Sequence, residues 1–483
     1  MSAHNKKGGF IITKIVIDPV TRISGLLKIE VDIENNKVVD ARSSGSQFRG
    51  FEKIFVGREP LDIIRLAPRI CGICSTSHAV AAVLALEDAL KIVPDQNGKV
   101  VRDIVHGFEL LQNHLRTTYI FAIPDFVRVQ NISPISKDGT DKELDYRLPP
   151  DLTKKINEDY DEAIKYSREA HKAIAILAGK APHCHGIWIG GITTYVDVPQ
   201  IEQVSYIVEK IDDFVQYKMM DDINIIASYY KDYFNLGRGY GNLMDYGIFA
   251  DYDGAAKFAD SGVIIDGSKE KLNIENITEN SYNSYLNAEN GNLTKPGASK
   301  APEPDPYKKN AYSWIDAARY RGYAMEVGPL ARMIINGYYE NKISMMDRTI
   351  ARVEECIYVC RVIKELLKRV KVGQAVQRNY EMPVSAKGVG LTGASRGALG
   401  HWITIENQKV ANYTLIPPSA WNLSPTDSNN VKGPVEMALI GTEINSIENP
   451  VEIGRIVRSF DPCSNCACHI NSSGHRSIDI NII

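Results

Sequence analysis

The chain has 483 residues, 44% apolar and 24% charged, with a formal net charge of -3. That length allows several packed layers or two to three domains around a deeply buried site; the near-neutral charge and the absence of a basic patch give no electrostatic footing for nucleic acid. The longest apolar runs, Ala79–Leu86 and Ala173–Ala178, fall well short of the roughly 20 residues that span a bilayer.

The first fifty residues predict β structure. Ile11–Asp18 and Leu26–Ile33 are rich in β-branched and aliphatic residues, and Asn35-Asn36 supplies a turn before Val38–Ala41. The start, Met1–Phe10, is polar and lacks the apolar run of a signal peptide, so delivery to or across a membrane is expected to depend on a partner. Beyond Cys71 and Cys74, apolar spacing predicts helices over Ser77–Val93, Ile104–Ile123, Asp151–Leu177 and Pro199–Tyr229. Further helices are predicted over Ile315–Ile335 and Ile343–Val372. Between Asp266 and Asn310 the chain is polar and rich in Asn, Glu, Lys and Pro, which reads as a surface excursion. From Gly388 onward Gly, Pro, Ser and short β-like runs dominate, and no internal repeat is present. The expected fold is multi-domain and mainly α. A β-rich segment over 1–70 leads into the first cysteine pair. A helical body covers 71–380, an α+β segment over 381–469 carries the second pair, and a tail follows over 470–483.

Eight cysteines are too few for a disulfide scaffold, and their clustering is more telling. Cys71/Cys74 and Cys463/Cys466 are tight pairs, followed by His78 and His469; Cys184, Cys356, Cys360 and Cys468 lie apart. A Cys-x-x-Cys turn aims two sulfurs at one metal, and thiolates suit nickel, iron, copper(I) or zinc. A structural zinc site is the alternative, but zinc ribbons join pairs about 15–20 residues apart. These pairs stand near opposite ends of the chain, as a reaction centre built into the core requires.

Arg69-Ile70-Cys71-Gly72-Ile73-Cys74 with His78, and Asp461-Pro462-Cys463-Ser464-Asn465-Cys466 with His469, resemble the paired signatures of nickel–iron hydrogenase large subunits. The resemblance extends through Asp18–Ile23, Arg49-Gly50-Phe51-Glu52, Pro182-His183, Met325–Arg332, Arg396–Trp402 and Pro418–Pro425. It implies a subunit that splits H2 heterolytically and reversibly into protons and electrons. Cys71 and Cys463 would be terminal nickel ligands. Cys74 and Cys466 would bridge nickel to an iron carrying carbon monoxide and cyanide. His78 would donate a hydrogen bond to a bridging sulfur, Arg396 would lie over the open coordination position, and Asp461 would share that lining. Glu52 and His469 resemble the side-chain ligands of a magnesium or iron ion near the C-terminus; a buried Glu–His hydrogen bond is the alternative.

Two positions depart from the family pattern. Ser24, in Arg22-Ile23-Ser24-Gly25, stands where a glutamate is usual, and a hydroxyl can relay a proton but not store one near neutrality. His114 stands where many members pair an aspartate with the active-site arginine. Cys356 and Cys360, four apart on a predicted helix, read as core thiols, and Cys468 is additional to the pattern. With no cysteine group left for an iron–sulfur chain, electrons are expected to leave through a small subunit carrying such clusters. The chain itself is cytoplasmic, or membrane-associated or exported through that subunit. The resemblance also implies nickel-insertion proteins and a maturation protease that removes 470–483. Two alternatives stay open: an H2-sensing regulatory hydrogenase, against which the tail argues, and a non-catalytic complex I-like coupling subunit, against which the four cysteines argue.

Overall fold

The computed structural model describes residues 4–7, 10–129, 145–288, 293–340, 342–377 and 379–467. Strands β1 (His4–Lys7), β2 (Phe10–Ile17), β3 (Leu27–Glu34) and β4 (Lys37–Gly45) form an antiparallel sheet in that order. Burial alternates along β3, with Leu27, Ile29, Val31 and Ile33 facing the core, the period of a sheet with one wetter face. Asn35 and Asn36 adopt φ 51° and 59°, the left-handed pair that a tight two-residue hairpin requires.

Helix α1 (Ser75–Leu90) starts directly after Cys74. The helical body consists of α2 (Gln96–Arg116), α3 (Pro150–Ala178), α4 (Val198–Phe214) and α5 (Met345–Leu367). α2 packs on α3 and α5, and α4 packs on the same two helices. Their starts are chemically marked. Asp95 accepts from the Gly98 amide at 3.0 Å, Asp197 and Gln200 cap α4 reciprocally, and the Ser344 hydroxyl caps α5.

The chain departs from the expected elements in three places. Ile315–Ile335 is not one helix: Ala317–Tyr320 is a strand and only Pro329–Ile335 is helical. Arg321, Gly322 and Gly328 between them hold φ of 51°, 81° and 137°, values that no α-helix accommodates. The polar stretch over 266–310 pairs into short strands, with Ile277–Asn280 lying between Leu293–Thr294 and Ala317–Tyr320. Ile277, Asn280 and Ser284 in it are buried. Near the C-terminus, β5 (Ser385–Ala394), β6 (Gly397–Glu406) and β7 (Lys409–Ile416) build a further antiparallel sheet. The structure is 43% helix and 23% strand, which does not confirm the mainly α expectation.

Glycines set how closely these layers approach. α1 lies on β5 because Ala81, Ala85 and Ala89 meet Gly388 and Gly390. A Cβ at Gly388 would fall 2.0 Å from the Ala85 carbonyl oxygen, and one at Gly390 2.0 Å from that of Ala81. This contact seats the helix behind the first cysteine pair against the β5–β6 hairpin, whose turn holds Arg396. After α6 (Val451–Ser459), Asp461 at φ 52° turns the chain. Cys463 then runs alongside Ser24 in a parallel bridge. The Ser24 amide donates to the Pro462 carbonyl at 3.1 Å, and the Ser464 amide to that of Ser24 at 2.8 Å. No helix among the described residues is long and apolar enough to cross a membrane.

Candidate metal centre

The two ends of the chain meet at four sulfurs. Those of Cys71, Cys74, Cys463 and Cys466 all lie within 4.8 Å of one another and are buried. Individual separations are 3.5 Å for Cys71–Cys463, 3.2 Å for Cys74–Cys466 and 2.8 Å for Cys463–Cys466. The backbone around them is pinned. The Ile73 amide donates to the Cys71 sulfur at 3.3 Å, and the Cys463 amide donates to the Ser419 hydroxyl at 3.0 Å. The Arg49 guanidinium donates to the carbonyls of both Ile70 and Asn465, the residues just before Cys71 and Cys466.

Four thiols this close cannot all ionise unaided. Hydrogen bonds from Cys463, Cys466 and Cys74 hold the Cys71 thiol well below its usual range. The Cys74 thiol is pushed well up by its bond to Cys463, and that of Cys466 by burial. A soft cation removes this conflict, and the tetrathiolate donor set fits nickel and iron.

Arg396 and Asp461 flank the sulfurs. Arg396 Nε donates to the Asp461 carbonyl at 2.9 Å, and Nη2 lies 3.1 Å from Asp461 Oδ1. Neither Nη atom has a well-formed hydrogen bond among the described residues, although both are buried. Burial opposes the Arg396 charge, but Asp461 and the Cys463, Cys74 and Cys71 sulfurs outweigh it and raise the pKa further. Asp461 Oδ2 accepts from Asn113 Nδ2 at 2.8 Å. His114 faces elsewhere: its Nε2 lies 2.8 Å from Glu355. His114 therefore pairs with Glu355 rather than with Arg396. Asn113 stands beside the Arg396–Asp461 pair, and Asp461 is the anion.

His78 Nδ1 lies 3.1 Å from His401 Nε2, while its buried Nε2 has no partner among the described residues. The Ser24 hydroxyl is likewise buried and unpartnered there, beside Cys463. Glu52 sits on the short helix Phe51–Phe55 and accepts from the Leu415 amide at 2.8 Å. It borders a cavity of about 40 Å³ that Glu279, Asp316, Cys466 and Ala467 also line. Burial raises Glu52 to about 8, against the Leu415 hydrogen bond, and raises Asp316 to about 6 and Glu279 well above the carboxylate range. Such a surplus of buried acid fits a divalent cation. His469, Cys468 and 470–483 lie outside the described residues.

The sequence reading passed over two supports. Arg49 had a signal, since it shares the Arg-Gly-Phe-Glu motif with Glu52. Glu109 had none: from the middle of α2 it accepts the Thr76 and Ser77 amides at 2.5 and 2.7 Å, satisfying the start of α1 from outside.

A family model described as nickel-dependent hydrogenase matches residues 49–144, 137–343 and 337–469. The chain belongs to the nickel-dependent hydrogenase family. A HoxL-like model matches 14–48. The hydrogenase is 33% identical over 496 residues to the periplasmic NiFeSe hydrogenase large subunit of Desulfomicrobium baculatum, covering 95% of each chain. It is 26% identical to the hydrogenase-2 large chain of Escherichia coli K12, covering 97% of this chain and 100% of that one. Its structure matches that of the Ni-Fe-Se hydrogenase from D. vulgaris Hildenborough with a TM-score of 0.90 and 36% identity, covering 95% and 100%. The fold is that of a hydrogenase large subunit, and the chain is the catalytic subunit of an enzyme acting on H2.

Proposed function

We propose that the four sulfurs hold a nickel–iron pair, with Cys71 and Cys463 as terminal nickel ligands and Cys74 and Cys466 bridging to an iron that carries carbon monoxide and cyanide. The observation that carries this reading is the convergence of four buried sulfurs, from opposite ends of the chain, within 4.8 Å. When bound, such a centre supplies a redox-active Lewis acid at which H2 is polarised. All four positions are cysteine, so the donor set is sulfur, although selenium appears in the names of several relatives.

The chain's own residues do the rest. Arg396, kept protonated by its anionic surroundings, is a fixed positive charge and an electrostatic stabiliser rather than a base. Its Nε bond to the Asp461 carbonyl sets the plane of the guanidinium, and the Asp461 carboxylate balances its charge. His78, whose buried Nε2 has no partner among the described residues, would hydrogen-bond a bridging sulfur. Ser24 offers a hydroxyl that, with water, can relay a proton but not retain it. Glu52, with Glu279 and Asp316 around the same cavity, holds a magnesium or iron ion together with His469. Electrons pass to iron–sulfur clusters of the small subunit, and cellular location follows that subunit. Nickel-insertion proteins load the site before a protease removes 470–483.

An infrared spectrum of the partner-bound protein tests the centre. Carbon monoxide and cyanide stretches, with nickel found by elemental analysis, are the expected result. Nickel-replete, tail-processed protein without those bands would overturn the nickel–iron reading in favour of a simpler thiolate site.

A further inference from the structure

Arg116 closes helix α2 and belongs to none of the motifs around the cysteines. Helical side chains lean toward the N-terminus, so each covers the residues three and four positions before it. Arg116 accordingly bends back over its own last turn and donates from Nη2 to Asn113 Oδ1 at 2.8 Å. With the Gln112 amide oxygen turned toward the guanidinium, Nη1 donates there at 2.5 Å. Asn113 is fully buried, and its other end reaches Asp461, where Nδ2 donates to Oδ2 at 2.8 Å. The same nitrogen donates to Thr117 Oγ1 at 3.4 Å. Asp461 Oδ1 in turn lies 3.1 Å from Arg396 Nη2. Four side chains thus run in one line from the end of α2 to the guanidinium beside the sulfurs.

Donor chemistry alone fixes the direction of this line. A guanidinium has five donors and no acceptor, so the end of the Asn113 amide that meets Arg116 is its oxygen. The other end is then the NH2 group, and the Asp461 oxygen facing it accepts. Turning the amide over would break both contacts at once, setting NH2 against the guanidinium and oxygen against the carboxylate. In the observed orientation the amide oxygen and NH2 group of Asn113 are all engaged, as a fully buried amide requires. Asp461 is then held on both carboxylate oxygens, by Asn113 on one and Arg396 on the other. Arg396 is held by Asp461 twice, at the carboxylate and through Nε at the carbonyl, 2.9 Å away.

We propose that Arg116 and Asn113 are positioning residues for the H2 reaction. Arg116 anchors the Asn113 amide, the amide anchors the Asp461 carboxylate, and the carboxylate keeps the Arg396 guanidinium in place beside the sulfurs. This deepens the nickel–iron reading and rests on the electrostatic role of Arg396 within it.

The test uses the complete complex, with rates expressed per bound nickel. Exchange of deuterium gas with solvent protons reports H2 cleavage without electron transfer to an acceptor. In Asn113→Leu that exchange should fall about 10- to 100-fold, with KM for H2 unchanged, because an apolar gas needs no guanidinium to bind. Arg116→Met, at the half-buried end of α2, should lose about 10-fold and gives a second variant should Asn113→Leu fail to assemble. Arg116→Lys, whose ammonium can still donate to Asn113 Oδ1, should recover most of the rate. The double variant should be no slower than Asn113→Leu alone, since both changes break one line. Crystals of Asn113→Leu, or of Arg116→Met in its place, should show the Asp461 carboxylate turned out of its contact with Arg396. Native exchange in Arg116→Met, additive losses in the double variant, or Asp461 and Arg396 unmoved in those crystals would each overturn the proposal. Native complex without iron-bound carbon monoxide and cyanide bands overturns the nickel–iron reading instead, and the crystals and exchange rates still decide the roles of Arg116 and Asn113.

Discussion

Replacing Arg49 by methionine should loosen the grip of the two chain ends on each other. The guanidinium carbon stands 4.7 Å from the Phe51 ring centre, and a methionine stem retains most of that packing. What disappears is the set of hydrogen bonds to the Ile70 and Asn465 carbonyls, with a longer one of 3.4 Å to that of Arg69. Each charge-assisted bond contributes about 1.5–3 kcal/mol, so two amount to about 3–6 kcal/mol. Arg49 is only half-buried, and water replacing part of that hydrogen bonding reduces the net loss to about 2–4 kcal/mol. At 1.4 kcal/mol per factor of ten, the hold of the four-sulfur site on nickel weakens about 30- to 700-fold. The assay is competition for nickel against a chelator of known affinity, with thermal unfolding followed in parallel. Competition curves that superimpose on the native ones would refute the clamp.

Gly390→Ala should destabilise the chain by about 1–3 kcal/mol, the usual range for overpacking. The new Cβ would fall 2.0 Å from the Ala81 carbonyl oxygen and 2.5 Å from the Ala85 amide nitrogen, both backbone atoms. A lower denaturant midpoint and reduced nickel content are expected, and a native midpoint would show that α1 and β5 tolerate a wider gap. Asp125→Asn tests the acid limb of stability. Burial opposes the Asp125 charge, but Arg22, Arg458 and Arg455 outweigh it and hold the carboxyl at about 2. A depressed carboxylate stabilises the fold fully above its unfolded value near 4 and loses that contribution as pH falls through its folded value. The native protein should therefore exceed the variant by about 2 kcal/mol at neutral pH. Urea unfolding across pH should show that margin shrinking between about pH 4 and 2; a constant margin would show that the carboxylate is not the source.

The legible part of this protein is the part written in residue identity and short spacing. The cysteine pairs, Arg396, Asp461 and Glu52 stand in compact motifs; the structure gathers the four sulfurs at one buried point and sets Glu52 on a small cavity that Cys466 also lines. The Asn35-Asn36 hairpin was legible because two consecutive left-handed residues leave few choices of amino acid. The stretch Ile315–Ile335 was misread because burial on both sides of a strand and a short helix mimics helical apolar spacing. Only the left-handed turn at Arg321-Gly322 and the Gly328 kink reveal the break. Glu279 lay hidden in a segment of Asn, Glu and Lys, since nothing local separates a buried carboxylate from a solvated one. The Asn113–Asp461 contact and the Glu109 cap join residues 348 and 33 positions apart, pairings that only the tertiary fold creates.

Cys71 and Cys463 are separated by 392 positions. Closing so long a loop costs about 5 kcal/mol of chain entropy, a sum the packed body can bear, but it also imposes an order in time. Synthesis at about 5–20 residues per second delivers Cys463 about 20–80 s after Cys71. Through that interval the first pair exists without its companions, on a strip of chain whose helix can already form while its opposing sheet cannot. The complete sulfur pocket is therefore a late event in the life of each molecule, and a nascent chain has half a site before it has a whole one.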